Sequence, residues 1–223
     1  MNLSQPNEAI SINDHVSKIK SIKYFTPART VEEANSILPK VNELIENHVK
    51  ALSPWKQEGN SLQYASDSLW DLARIVAMRS GVTNTWDSAW DYAWKEASYS
   101  ARDNYGWYGG SYVSGETARD AARDAAKYAA RYIVYESAKE KMKEQNPFSS
   151  IIELYSMGLK PTYFRKVDEQ EKFVVDLPIK KGNEFTLGCY VHGDREILFT
   201  HHWKNYCSGL VPLKEDASSR TIA

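Results

Sequence analysis

Cysteine is scarce in this sequence: only Cys189 and Cys207 occur in 223 residues, and neither belongs to a Cys-x-x-Cys pair. That excludes a disulfide framework and a dithiol motif of the usual redox spacing. No run of 18 apolar residues occurs, and the mean hydropathy is −0.56, so no membrane span is expected. The first 23 residues lack the basic start and apolar run of a secretory signal, which points to a cytoplasmic location. An excess of one charge is missing as well. Lys plus Arg is 28 against 29 for Asp plus Glu, a net charge of −1. Such a balance gives no global pull toward nucleic acid or an anionic membrane, and neither is expected as a partner.

Catalytic signatures are also absent. No Gly-Lys pair offers a phosphate loop, no Gly-x-Ser-x-Gly offers a nucleophile elbow, and no histidine stands three residues after a glutamate. No enzyme and no cofactor are expected on this ground. Carboxylate pairs such as Asp87 with Asp91 share a helix face, but interhelix pairing explains them as well as acid–base work.

What the chain does have is a four-residue rhythm. Trp86, Trp90 and Trp94 recur alongside Ala89, Ala93, Ala97 and Ala101. A second segment repeats the spacing in Ala118, Ala122, Ala126 and Ala130, with Ala121, Ala125 and Ala129 beside them and Ile133 and Val134 continuing both columns. A step of four advances about 400° around an α-helix, so each column is a slanted ridge. Ridges of this kind interlock where helices cross at about −50°. The large Trp column laid over the small Ala columns predicts a core, each buried Trp covering about 150 to 250 Å².

Other elements follow from caps and breakers. Thr30 and Glu33 have capping-box spacing, and the helix they open carries an apolar face from Ala34 to Leu52 with Pro39 inside it, where a kink is expected. The string Glu32-Glu33-Ala34-Asn35, then Leu38-Pro39 and Val41, resembles the opening helix of a family of small uncharacterised bacterial helical domains. The resemblance covers this one helix and implies no site. A helix over 62–79 presents Leu69, Ala73 and Ala77, with Trp70 and Leu72 beside them. The Ala-rich helix is expected to reach about residue 145, and Asn146-Pro147 ends it before a short amphipathic helix that stops at Gly158. Residues 163–167 and 172–177 alternate around a polar turn as one hairpin, and 185–192 and 195–203 form a second around Gly193-Asp194.

The expected fold class is therefore α+β, mainly α: an Ala/Trp-rich antiparallel helical bundle followed by a small antiparallel β-sheet of two hairpins. The expected divisions are an N-terminal arm at 1–23, a helical bundle domain at 24–158, a β subdomain at 159–207 and a tail at 208–223.

Two features can bind something. Residues 105–112 hold Tyr105, Trp107, Tyr108 and Tyr112 together with three glycines, a composition suited to stacking on a partner or to covering the end of a bundle. Arg119, Arg123, Lys127 and Arg131 stand four apart as a basic column, expected to be solvated and relieved by acids such as Asp120, Asp124 and Asp67. Cys189, His192, His201, His202 and Cys207 are residue types that zinc favours. A two-residue turn at Gly193-Asp194 would put His192 and His201 about 20 Å apart along the ladder, so the hairpin cannot gather them and no metal is expected. The expected function is an intracellular, non-enzymatic interaction or scaffold protein. Its partner is expected to be a protein that meets the aromatic loop, with self-association open. The alternative is a small-molecule-binding protein or enzyme for an anionic or aromatic ligand near Trp107, Tyr108 and Arg123.

Overall fold

The computed structural model describes residues 29–79, 90–91, 94–95, 115–142, 145–167, 170–181, 184–194, 197–200 and 211–212. They form the helices α1 (Val31–Leu52), α2 (Leu62–Arg79), α3 (Gly115–Met142) and α4 (Phe148–Ser156). The strands are β1 (Lys160–Val167), β2 (Gln170–Lys181), β3 (Glu184–Val191), β4 (Leu198–Thr200) and β5 (Val211–Pro212). Helices precede strands, and the class is α+β, mainly α. Among the described residues no helix is long and apolar enough to cross a membrane.

Local chemistry starts α1 where the spacing predicts. The Glu33 amide donates to the Thr30 hydroxyl at 3.2 Å, and the Thr30 amide donates to the Glu33 carboxylate at 2.8 Å, so two orphan donors are satisfied reciprocally. The helix buries Ala34, Leu38, Val41, Leu44, Ile45 and Leu52 and runs through Pro39 without ending.

The start of α2 is capped from within and from far away. The Ser61 hydroxyl accepts from the Tyr64 amide at 3.0 Å. The Glu171 carboxylate, on β2, accepts from the Leu62 amide at 3.0 Å and the Gln63 amide at 3.4 Å. A carboxylate there also meets the positive end of the helix dipole. Glu171→Ala is expected to lower the unfolding free energy by about 1 to 2 kcal/mol, and Glu171→Gln by about half as much. Urea titration reads both values, and an unchanged midpoint in Glu171→Ala would exclude the cap.

The described part of the alanine columns is buried as the spacing predicts, while Ala89, Ala93, Ala97 and Ala101 and the side chains of Ala118, Ala121 and Ala122 lie outside the described residues. Ala125, Ala126, Ala129 and Ala130 on α3 are closed to solvent with Ile133 and Val134, and Ala65, Ala73 and Ala77 on α2 are closed with Leu69. Small side chains let the two helix backbones approach, and α2 packs chiefly on α3, as α1 does on α4. Trp90 and Trp94 lie at the margin of this core, half-buried rather than enclosed, with parallel rings 6.4 Å apart. Trp86 is outside the described residues. Asn146 forms the joint between α3 and α4: its amide donates to the Tyr132 carbonyl and the Glu136 carboxylate, and its oxygen accepts from the Phe148 amide.

The five strands form one antiparallel sheet in the order β1-β2-β3-β4-β5. Phe173, Val175, Leu177 and Ile179 of β2 share a single core with the helices, while Val174 groups with Cys189 and Val191 apart from it. That is the period of two expected of a strand. Gly188 has space for no side chain, since a Cβ there would stand 2.7 Å from Ile179 Cγ1.

β2 outruns its expected end at Leu177 and passes through Pro178. The pairing with β1 reaches only Lys160↔Asp176, and Arg29 takes up the edge beyond it. The Arg29 amide donates to the Pro178 carbonyl at 3.1 Å, and the Lys180 amide donates to the Arg29 carbonyl at 2.7 Å. This bridge asks for no donor from Pro178, which is why proline is tolerated there. The same contact ties the start of α1 to the sheet.

Candidate functional site

The aromatic loop lies outside the described residues, and so do Tyr105, Trp107, Tyr108 and Tyr112. The basic column can be followed along α3. Arg119 belongs to the helix, with its side chain outside the described set, and Arg123 is exposed.

From there the column turns inward, against the expectation of a solvated face. Lys127 is half-buried, and its pKa is lowered by burial and then by the neighbouring charge of Arg131, with Asp67 and Asp124 acting in the opposite sense. Arg131 is 5 % exposed. Its Nη2 donates to Asp67 Oδ1 at 3.0 Å, and its guanidinium carbon lies 5.5 Å from the Tyr128 ring, 5.7 Å from Trp70 and 6.0 Å from Phe148. The cation is therefore held by one carboxylate from α2 and the faces of three rings. Every fourth residue on a helix drifts by about 40°, so a column that starts in water need not stay there.

A second charged group joins α3 to the sheet. Lys160 Nζ lies 3.7 Å from Asp124 Oδ2, and Lys160 and Asp176 are both buried and directly opposite on β1 and β2. Asp176 in turn faces Cys189, and Cys189 faces Leu198, so Lys160, Asp176, Cys189 and Leu198 form one row across four strands. Cys189 opposite Leu198 is the pairing that a two-residue turn at Gly193-Asp194 predicts, whereas the sequence does not signal the others, which are set by the registers of β1 and β3 on β2.

Of the residue types that zinc favours, Cys189 is buried in β3, and His192 begins the turn after it, where its amide donates to the Phe173 carbonyl at 2.9 Å. His201, His202 and Cys207 are outside the described residues. Among the described residues no group of three or more His, Cys, Asp or Glu is placed to hold a metal.

The outward face of α2 is the surface that sequence reasoning missed. Tyr64 is 55 % exposed, Leu72 37 %, Ile75 40 % and Met78 52 %. At about 100° per residue these four fall within an arc of about 120°. Leu72, expected beside the core, sits about 60° from Leu69 on the outer flank, and that angle was the available signal. Asp71 and Arg79 are exposed on the same face, and neither has an ion-pair partner among the described residues.

Comparison with protein-family models, curated proteins and solved structures finds no match to this chain.

Proposed function

We propose that this chain is an intracellular, non-enzymatic interaction or scaffold protein of the cytoplasm that binds a protein partner. The observation that supports this is the apolar ridge of Tyr64, Leu72, Ile75 and Met78 on α2. Isolated exposed apolar residues are ordinary, whereas several on one helix face form a patch of the kind that marks protein contacts. Burying such a side chain is worth about 1.5 to 3 kcal/mol, and an exposed ridge leaves part of that for a partner to recover. The aromatic loop at 105–112, with Arg119 and Arg123 following it in sequence, is the second surface in this reading. In the same reading the helices make one antiparallel bundle and the strands two hairpins, and the antiparallel β1–β2 and β3–β4 pairings support the hairpins alone.

Native mass spectrometry of the protein isolated gently from its own source tests the proposal. A retained protein subunit, released by Ile75→Ser with Met78→Ser, is the expected result. A stoichiometric small molecule on an otherwise single chain would overturn it in favour of a ligand-binding protein or enzyme.

A further inference from the structure

We infer that the partner seated on the α2 ridge is a second copy of this chain, paired antiparallel about Ile75. The inference rests on the interaction reading above and names its partner. Asp71, Ile75 and Met78 are all exposed and spaced four and three apart, which is the spacing of a seam along which one helix packs on another.

Charge selects the partner and the direction. In a two-fold antiparallel pair centred on Ile75, each residue faces the one equally far on the other side of the centre. Ile75 then meets Ile75 once, on the axis, while Leu72 meets Met78 and Asp71 meets Arg79 twice each. Both charges are exposed and without an ion-pair partner among the described residues. A parallel pair would set Asp71 against Asp71 and Arg79 against Arg79, and an antiparallel pair centred on Asp71 would oppose two carboxylates. The Ile75 register alone of these three joins opposite charges and apolar side chains together.

Size sets the strength. About Ile75 the two copies of α2 overlap only from Asp71 to Arg79, a rise of about 12 Å, and one face is about 10 Å wide, which is far below a standard interface of about 800 Å² per partner. The dimer is accordingly weak and in rapid exchange, with a dissociation constant in the micromolar range or above.

Sedimentation equilibrium of the full chain from about 1 µM to about 500 µM tests this. The wild type is expected to pass from monomer to dimer, and Ile75→Glu to remain monomeric. Asp71→Arg and Arg79→Asp are each expected to weaken the dimer about tenfold, and the double variant to return to within about threefold of wild type. A merely structural effect of Arg79→Asp at the end of α2 would persist in the double variant, so recovery isolates the contact between copies. A wild type that stays monomeric overturns self-pairing, and the interaction reading then stands or falls on the native spectrum alone. Dimerisation undisturbed by Ile75→Glu overturns the ridge, and a double variant as weak as the singles overturns the register.

Discussion

Replacing Arg131 by alanine is expected to lower the unfolding free energy by about 3 kcal/mol, a large loss for a residue whose spacing places it in a solvated column. The side chain is 6 % exposed, but its partner Asp67 is 48 % exposed. Removing the arginine therefore leaves a carboxylate that water can hydrate, and the main cost is not an orphaned charge. It is the space left between Trp70, Tyr128 and Phe148, together with the lost attraction of the guanidinium to three ring faces. Arg131→Met keeps most of the stem's packing and adds no charge, so it is expected to cost only about 1 kcal/mol, since apolar residues of similar volume often replace buried ion pairs at little loss. Chemical denaturation of the two variants decides the matter. Equal losses would mean that the ion pair carries the energy, and no loss in either would mean that the guanidinium is not packed between the rings.

The second large effect is one of pH. His48 is buried, and its Nδ1 lies 2.7 Å from the Pro147 carbonyl. A carbonyl only accepts, so the proton resides on Nδ1 in the neutral ring. Phe164 stacks on the imidazole at 6.0 Å and Phe173 meets it edgewise at 5.6 Å. Burial in this apolar box opposes the charged form and pushes the pKa from 6.5 down to about 4, although the bond to Pro147 works the other way. Between those values the unfolded chain holds a proton that the folded chain refuses. Stability from this group is therefore fully present above about pH 6.5, and it is lost as the pH falls toward about 4. The loss amounts to about 3 kcal/mol at about 1.4 kcal/mol per unit. His48→Phe fills the same space without a titrating group, so its stability is expected to be flat across that window where wild type slopes. Urea midpoints measured at half-unit intervals compare the two, and parallel curves would show that another group governs the acid sensitivity.

How legible each part was in the sequence depended on how far apart the interacting residues lie. The Thr30–Glu33 box spans one turn of helix and is formed by the residues that signal it. The alanine columns of α3 were readable because helical spacing alone assigns a face, and Ala125, Ala126, Ala129 and Ala130 occupy the buried one. Asn146-Pro147 separates α3 from α4, as the breaker pattern predicts. The end of β2 is not legible locally because proline stops most strands, whereas here the neighbouring edge is occupied by Arg29, which needs only the Pro178 carbonyl and the Lys180 amide. On the candidate face, Leu72 stands beside the Leu69–Ala73–Ala77 column in sequence, and its angle of about 60° from Leu69 marks it as a flank position, while the packing of α2 on α3 decides that this flank meets water.

By itself the sequence determined the class of the fold, most helix boundaries and the small-residue faces, since period and capping act over a few residues and require no knowledge of the partner. Tertiary structure decided the rest. Arg131 and Asp67 are 64 residues apart, His48 and Pro147 are 99 apart, and Glu171 and Leu62 are 109 apart. A charge can be buried, a ring held neutral or a helix end capped only when a distant segment arrives to replace water. Which segment arrives is settled by the packing of the whole chain, and no local pattern records it.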